Sequence, residues 1–104
     1  MIDIEKLQEY YEQDRVIISL HAQERLRQRG IKARDVRNCI MTGEIIEQYP
    51  DDFPFPSCLI FGYTVNNKII HVVASDEGTM SRIITAYYPD TLKFEDDLRT
   101  RRER

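Results

Sequence analysis

Tryptophan is absent from this 104-residue chain, and histidine, cysteine, glycine and proline are all scarce, with two, two, four and four copies. So few glycines and prolines leave no flexible linker and no low-complexity segment, so the chain reads as a single domain, 1–104. The two cysteines, Cys39 and Cys58, lack the paired spacing and neighbouring histidines of a structural zinc site. They read as reduced, buried, small apolar residues, with an intermolecular disulfide as the alternative. Two histidines, and no carboxylate pair sharing a face with His21, leave a catalytic metal without ligands, so no cofactor or metal is expected. The longest apolar runs, such as Cys58 to Tyr63, are far shorter than the about 20 residues of a membrane span. Met1-Ile2-Asp3-Ile4-Glu5 places acidic residues where a signal peptide carries basic ones. A soluble cytoplasmic protein without membrane contact is expected.

Hydrophobic content of 41% with 10% aromatics suits a globular core, while 32% charged residues is above the usual quarter. The net charge of −3 argues against strong non-specific nucleic-acid binding, yet it conceals a segregation. Residues 15 to 37 hold seven basic groups and two acidic ones, so this stretch is +5 and the remainder −8. Screening confines surface electrostatics to about 8 to 10 Å, so a basic stripe on an acidic domain still makes a local phosphate site. A solvated helix face is the competing description.

Ile4, Leu7, Tyr10 and Tyr11 recur at helical spacing within 2–13 and predict a first helix, set apart as an N-terminal extension over 1–14. Val16-Ile17-Ile18 is a short apolar run leading to Ser19, which caps a second helix from Leu20 to Gly30. A third helix, Ala33 to Thr42, buries Val36 and Ile40 and stops at Gly43 by the same left-handed device. Beyond it the period falls to two. Strands are predicted at Glu44–Tyr49, Cys58–Val65, Lys68–Ser75 and Met80–Tyr88, with a proline-rich loop from Pro50 to Pro56 and a turn at Asn66-Asn67. Residues 93–104 predict a short helix, with Phe94 and Leu98 packing, that frays into Arg99, Arg101, Arg102 and Arg104. The fold class is therefore α+β, with helices on one face of a four-stranded antiparallel meander.

His21, Arg25 and Arg29 are spaced four apart and share one helix face within an arc of about 80°. Ala22 and Leu26 anchor the adjoining arc. His21 lies in the first turn, where the helix dipole and the two guanidinium groups favour a neutral imidazole that acts as a base beside cations that hold a phosphate. RNA cleavage without metal needs a base for the 2′-hydroxyl, an acid for the departing 5′-oxygen and positive charge on the phosphate. The same spacing equally describes His21 capping its own helix while Arg25 and Arg29 pair with carboxylates such as Asp35 or Glu47. His71 alternates with Ile69 and Val73 and reads as a structural histidine. Thr85 and Tyr87 share a strand face, opposite Arg82, Ile84 and Ala86, from which their hydroxyls reach a phosphate.

His21-Ala22-x-x-Arg25-x-x-x-Arg29-Gly30-Ile31, with Asp35-Val36, Gly43-Glu44-Ile45-Ile46, Ile70-His71-Val72-Val73 and Ile84-Thr85-Ala86-Tyr87-Tyr88-Pro89, resembles the family catalogued as domain of unknown function 4258 across a core of 17–89. The resemblance implies a fold similar to RelE-like and BrnT-like ribonuclease toxins, in which helices pack on a four-stranded sheet. It also implies RNA as partner, with an antitoxin or zinc-finger regulator protein. Carried over, the site residues are His21, Arg25, Arg29, His71, Thr85 and Tyr87. The expected function is a metal-independent RNA endonuclease of toxin type, with His acid/base and Arg phosphate clamps. The alternative is a non-catalytic protein- or nucleic-acid-binding module using the same row. RelE-like toxins are strongly basic, whereas this chain is acidic, and residues 1–14 lie outside the resemblance.

Overall fold

A computed structural model describes residues 1–103. Three helices, α1 (Ile4–Glu12), α2 (Leu20–Gln28) and α3 (Ala33–Thr42), accompany five strands: β1 (Val16–Ile18), β2 (Glu44–Tyr49), β3 (Ser57–Tyr63), β4 (Ile69–Asp76) and β5 (Ser81–Tyr87). The sheet runs β1-β5-β4-β3-β2, and all neighbours are antiparallel except β1, which lies parallel to β5. The fold is therefore α+β with a five-stranded mixed sheet, in place of the four antiparallel strands expected. Val16-Ile17-Ile18 is too short for its period to be read, and its strand character comes from the β5 edge beside it. No helix among the described residues is long and apolar enough to cross a membrane.

The helices cover one sheet face. Ile60, Ile70, Val72, Ala74 and Ile83 point from the strands into a core completed by Leu7, Tyr10, Leu26, Val36, Cys39 and Ile40. α1 belongs to this core: Leu7 and Tyr10 are buried, and Gln8 donates to the Ile40 and Met41 carbonyls. Ser19 Oγ accepts from the Ala22 N–H at 3.1 Å and starts α2. Gly30, at φ +68°, ends it: Ile31 N–H donates to the Leu26 carbonyl and Gly30 N–H to that of Arg27. Gly43, expected to act likewise, has φ −100°. A side chain there would meet the Cys39 and Phe61 carbonyl oxygens, so its smallness serves close approach. Asp35 caps α3 by accepting from the Lys32 N–H and also accepts from the Val65 N–H, tying the helix to the β3–β4 hairpin.

Two β-bulges decide which side chains reach the opposite face. On β2, Ile45 pairs with Ile60 and Glu47 with Leu59, leaving Ile46 extra. On β5, Ile83 pairs with Ala74 and Thr85 with Val73, leaving Ile84 extra. The bulges reverse strand parity, so Ile45, Ile83 and Ala86 join the core while Glu47, Thr85 and Tyr87 stand on the far face with His71 and Phe61. Arg82, expected opposite Thr85, shares its face.

That far face is covered by residues 89–103, which form no helix. Asp97 accepts from the Arg99 and Thr100 N–H groups and the Thr100 hydroxyl, and Leu98 adopts φ +58°. Such side-chain turns compete with helix and explain the failed expectation. Phe94 bridges Arg101 and is buried, 1% exposed. Arg104 lies outside the described residues.

Candidate functional site

β1 pairs with only the first three residues of β5, so the edge of β5 beyond Ile83 lacks a strand neighbour. Arg29, the C-cap of α2, fills that position. Its Nη1 donates to the Ala86 carbonyl at 2.8 Å and to Thr85 Oγ1 at 3.0 Å. Beside it opens a cleft of about 430 Å³ whose walls include Arg29, Tyr87, Asp90, Lys93, Phe94 and Arg101. Arg29 and Lys93 outweigh Asp90, and Arg101 is paired with Glu47, so the hollow keeps a small positive excess on a negative molecule.

His71 lies behind the Tyr87 wall with 0% exposure. Its Nε2 stands 2.7 Å from the Leu98 carbonyl and its Nδ1 3.3 Å from the Tyr87 hydroxyl. A carbonyl only accepts, so Nε2 carries the proton and Tyr87 donates to Nδ1. Phe94 meets the imidazole edge to face at 4.6 Å. Burial lowers the His71 pKa below its ordinary value, against the Leu98 hydrogen bond and the Glu47 charge, which favour the cation. Burial raises that of Tyr87. The pair therefore rests neutral, with the shared proton on Tyr87.

Glu47 accepts from Arg101 Nε at 3.1 Å and Nη2 at 3.0 Å, a two-pronged pair, and also from the Tyr49 hydroxyl. Burial pushes the Glu47 carboxyl up, but these hydrogen bonds and the Arg101 charge outweigh it and hold the pKa below the usual range. Arg101 lies over the Phe94 ring, 4.8 Å from its centroid. Arg99, ion-paired with Glu44, lies over Phe61 at 4.0 Å.

Arg29, His71, Thr85 and Tyr87 are thus gathered at one end of β5. His21 and Arg25 are exposed on α2 and do not line the cleft. His21 sits two turns from Arg29, roughly 12 Å along the axis. Neither Asp35 nor Glu47 pairs with the α2 arginines, since both carboxylates are engaged elsewhere. In the sequence Lys93 and Arg101 do not read as site residues, Glu47 reads only as a partner for the α2 arginines, and Tyr49 does not read as part of a site at all. The first two sit in what reads as a tail, and the Glu47 face depends on a bulge that strand periodicity does not reveal. Among the described residues no three His, Cys, Asp or Glu side chains cluster as a metal cage. Burial pushes both cysteine thiols up to about 12.

The chain is thus an α+β domain with a cleft at one end of β5. The chain belongs to the family described as Domain of unknown function (DUF4258), whose model matches residues 18–88. No curated protein and no solved structure matches the chain. The family match contains Arg29, His71, Thr85 and Tyr87 and stops before Lys93, Phe94 and Arg101.

Proposed function

We propose that the cleft binds a phosphodiester of RNA and that the chain is a metal-independent endoribonuclease of the toxin type, RelE-like in its mode of action and working in the cytoplasm under an antitoxin or zinc-finger regulator. The observation that carries the reading is that Arg29, Lys93 and Arg101 line one cleft with Tyr87, whose hydroxyl is bonded to His71. Arg29 grips the phosphate with the guanidinium edge that Thr85 and Ala86 leave free. Tyr87 takes the 2′-hydroxyl proton as it passes its own to His71 Nδ1, and Glu47 and the Leu98 carbonyl stabilise the imidazolium that forms. The departing 5′-oxygen takes its proton from Lys93, the cleft cation with a transferable one, because arginine stays protonated.

A second reading, a non-catalytic RNA-binding module, draws on the complete burial of His71. The two separate on total RNA treated with purified protein in excess EDTA. The enzyme yields 2′,3′-cyclic phosphate ends, and Tyr87→Phe lowers the rate about 10²- to 10⁴-fold while His21→Ala does not. Loss with His21→Ala and retention with Tyr87→Phe moves the acid–base group to α2. RNA binding that needs Arg29 and Lys93, without cleavage by the wild type, establishes the module.

A further inference from the structure

The sheet has two edges. Along that of β2, the Gln48 side chain exchanges hydrogen bonds with Ile2, and Arg99 and Arg101 hold the Glu44 and Glu47 side chains. That of β1 is different. Its one strand neighbour is β5. The Ser81 N–H donates to the Arg15 carbonyl, so the alternation of a parallel ladder turns that carbonyl and the Ile17 peptide groups towards β5 and those of Val16 and Ile18 outwards. The outward Ile18 carbonyl accepts from Gln23 Nε2, which leaves Val16 with both groups facing the open side.

Two hollows run along the helix side of this edge, about 290 and 500 Å³, and meet at Ile18 and Ala33. Their floor is apolar, with Val16 and Leu26 at its two ends. Their rim carries Arg34, Arg37 and Lys32, all exposed, whereas Arg27 is neutralised by Glu24. Asp14 is the one carboxylate among the lining residues. The Tyr11 hydroxyl, at the wall of the smaller hollow, is buried without a hydrogen-bond partner among the described residues.

We propose that this edge accepts an extended segment of a partner protein, with alternating apolar and acidic side chains, as an additional strand beside β1. Peptide groups of the segment pair with both outward groups of Val16 and with the Ile18 N–H. Its apolar side chains enter the hollows over Ile18 and Ala33, and its carboxylates meet Arg34, Arg37 and Lys32. Charge selects the occupant: on a chain of net charge −3, this rim is locally positive. The surface lies apart from the cleft at the far end of β5, so the inference does not rest on the nuclease reading.

The test uses the full chain and a short labelled peptide of alternating valine and glutamate, with a valine–lysine peptide as control. Fluorescence anisotropy should show binding of the first alone, weakened about tenfold or more by Arg34→Glu with Arg37→Glu. Arg34→Ala with Arg37→Ala is the fallback pair if charge reversal lowers the melting temperature. Amide exchange should slow at Val16 and Ile18 when the peptide is bound. Equal binding of the lysine peptide, binding without protection of those amides, or Arg34- and Arg37-dependent capture of an oligouridylate in place of the peptide would each overturn the proposal.

Discussion

The two faces of the sheet are covered by different chemistry, the helix face almost completely and the opposite face in part. The helix face is closed by aliphatic contact: Ile60, Ile70, Val72 and Ile83 are 0% exposed, and their surroundings are Leu, Val, Cys and Ile. The opposite face is closed by a chain without helix or strand, held by the Leu98 carbonyl on His71, arginines over aromatic rings and ion pairs to Glu44 and Glu47. Apolar burial is non-directional and supplies the folding free energy. Directional contacts supply less of it, and they place a titratable pair beside a cleft. Stability and chemistry are thus divided between the faces.

Truncation on each face tests that division. Ile60→Ala should lower the unfolding free energy by about 2–5 kcal/mol, the range for large-to-small core changes, read from urea melts. Phe94→Ala removes more volume but should cost less, roughly 1–2 kcal/mol, because a loose covering segment detaches instead of leaving a cavity. Limited proteolysis should then cut within 89–103 while the sheet amides stay protected. A Phe94→Ala loss equal to that of Ile60→Ala, with no local cleavage, would mean that both faces unfold as one unit.

Acidification sharpens the contrast. Burial holds the His71 pKa below its unfolded value, so the unfolded chain binds the proton more readily and stability rises with pH through this window. The His71 contribution is complete above about pH 6.5 and fades as pH falls towards the lowered folded value. Glu47, also lowered, adds a second loss at more acidic pH, below the usual carboxylate range near 4.3. Melting temperatures followed down from neutral pH should fall, and His71→Gln should flatten the upper part of that fall. The smallest effect belongs to exposed ion pairs: Glu95→Ala removes a partner of Arg102 and should change stability by less than about 1 kcal/mol in a thermal melt.

The helices were legible because caps and apolar spacing agree locally: Ser19 and Gly30 bound α2 as their chemistry requires, and Val36 and Ile40 mark the inner face of α3. β4 was legible for the same reason, as Ile70, Val72 and Ala74 alternate without interruption. β1 escaped because three residues carry no period. The faces of Glu47 and Arg82 escaped because an inserted residue reverses parity without leaving a mark in composition. Helical spacing joined His21 to Arg25 and Arg29, but the partner that fixes Arg29 is a strand edge 57 residues away, at Ala86. That meeting depends on where β1 ends.

Leu98 meets His71 through its backbone oxygen. Any amino acid in that position carries the same carbonyl, so the bond belongs to the path of the chain and not to the identity of the residue. The covering segment is in this respect rewritable. Replacing Leu98 by glycine, which occupies positive φ without the steric penalty of leucine, keeps the acceptor in place and relaxes the turn that presents it. Proline at Arg99, by contrast, pushes Leu98 towards the extended region and carries the oxygen away from the imidazole. A histidine fastened in this way can be uncovered or held by editing the geometry of a tail, although proline at Arg99 also removes the guanidinium over Phe61.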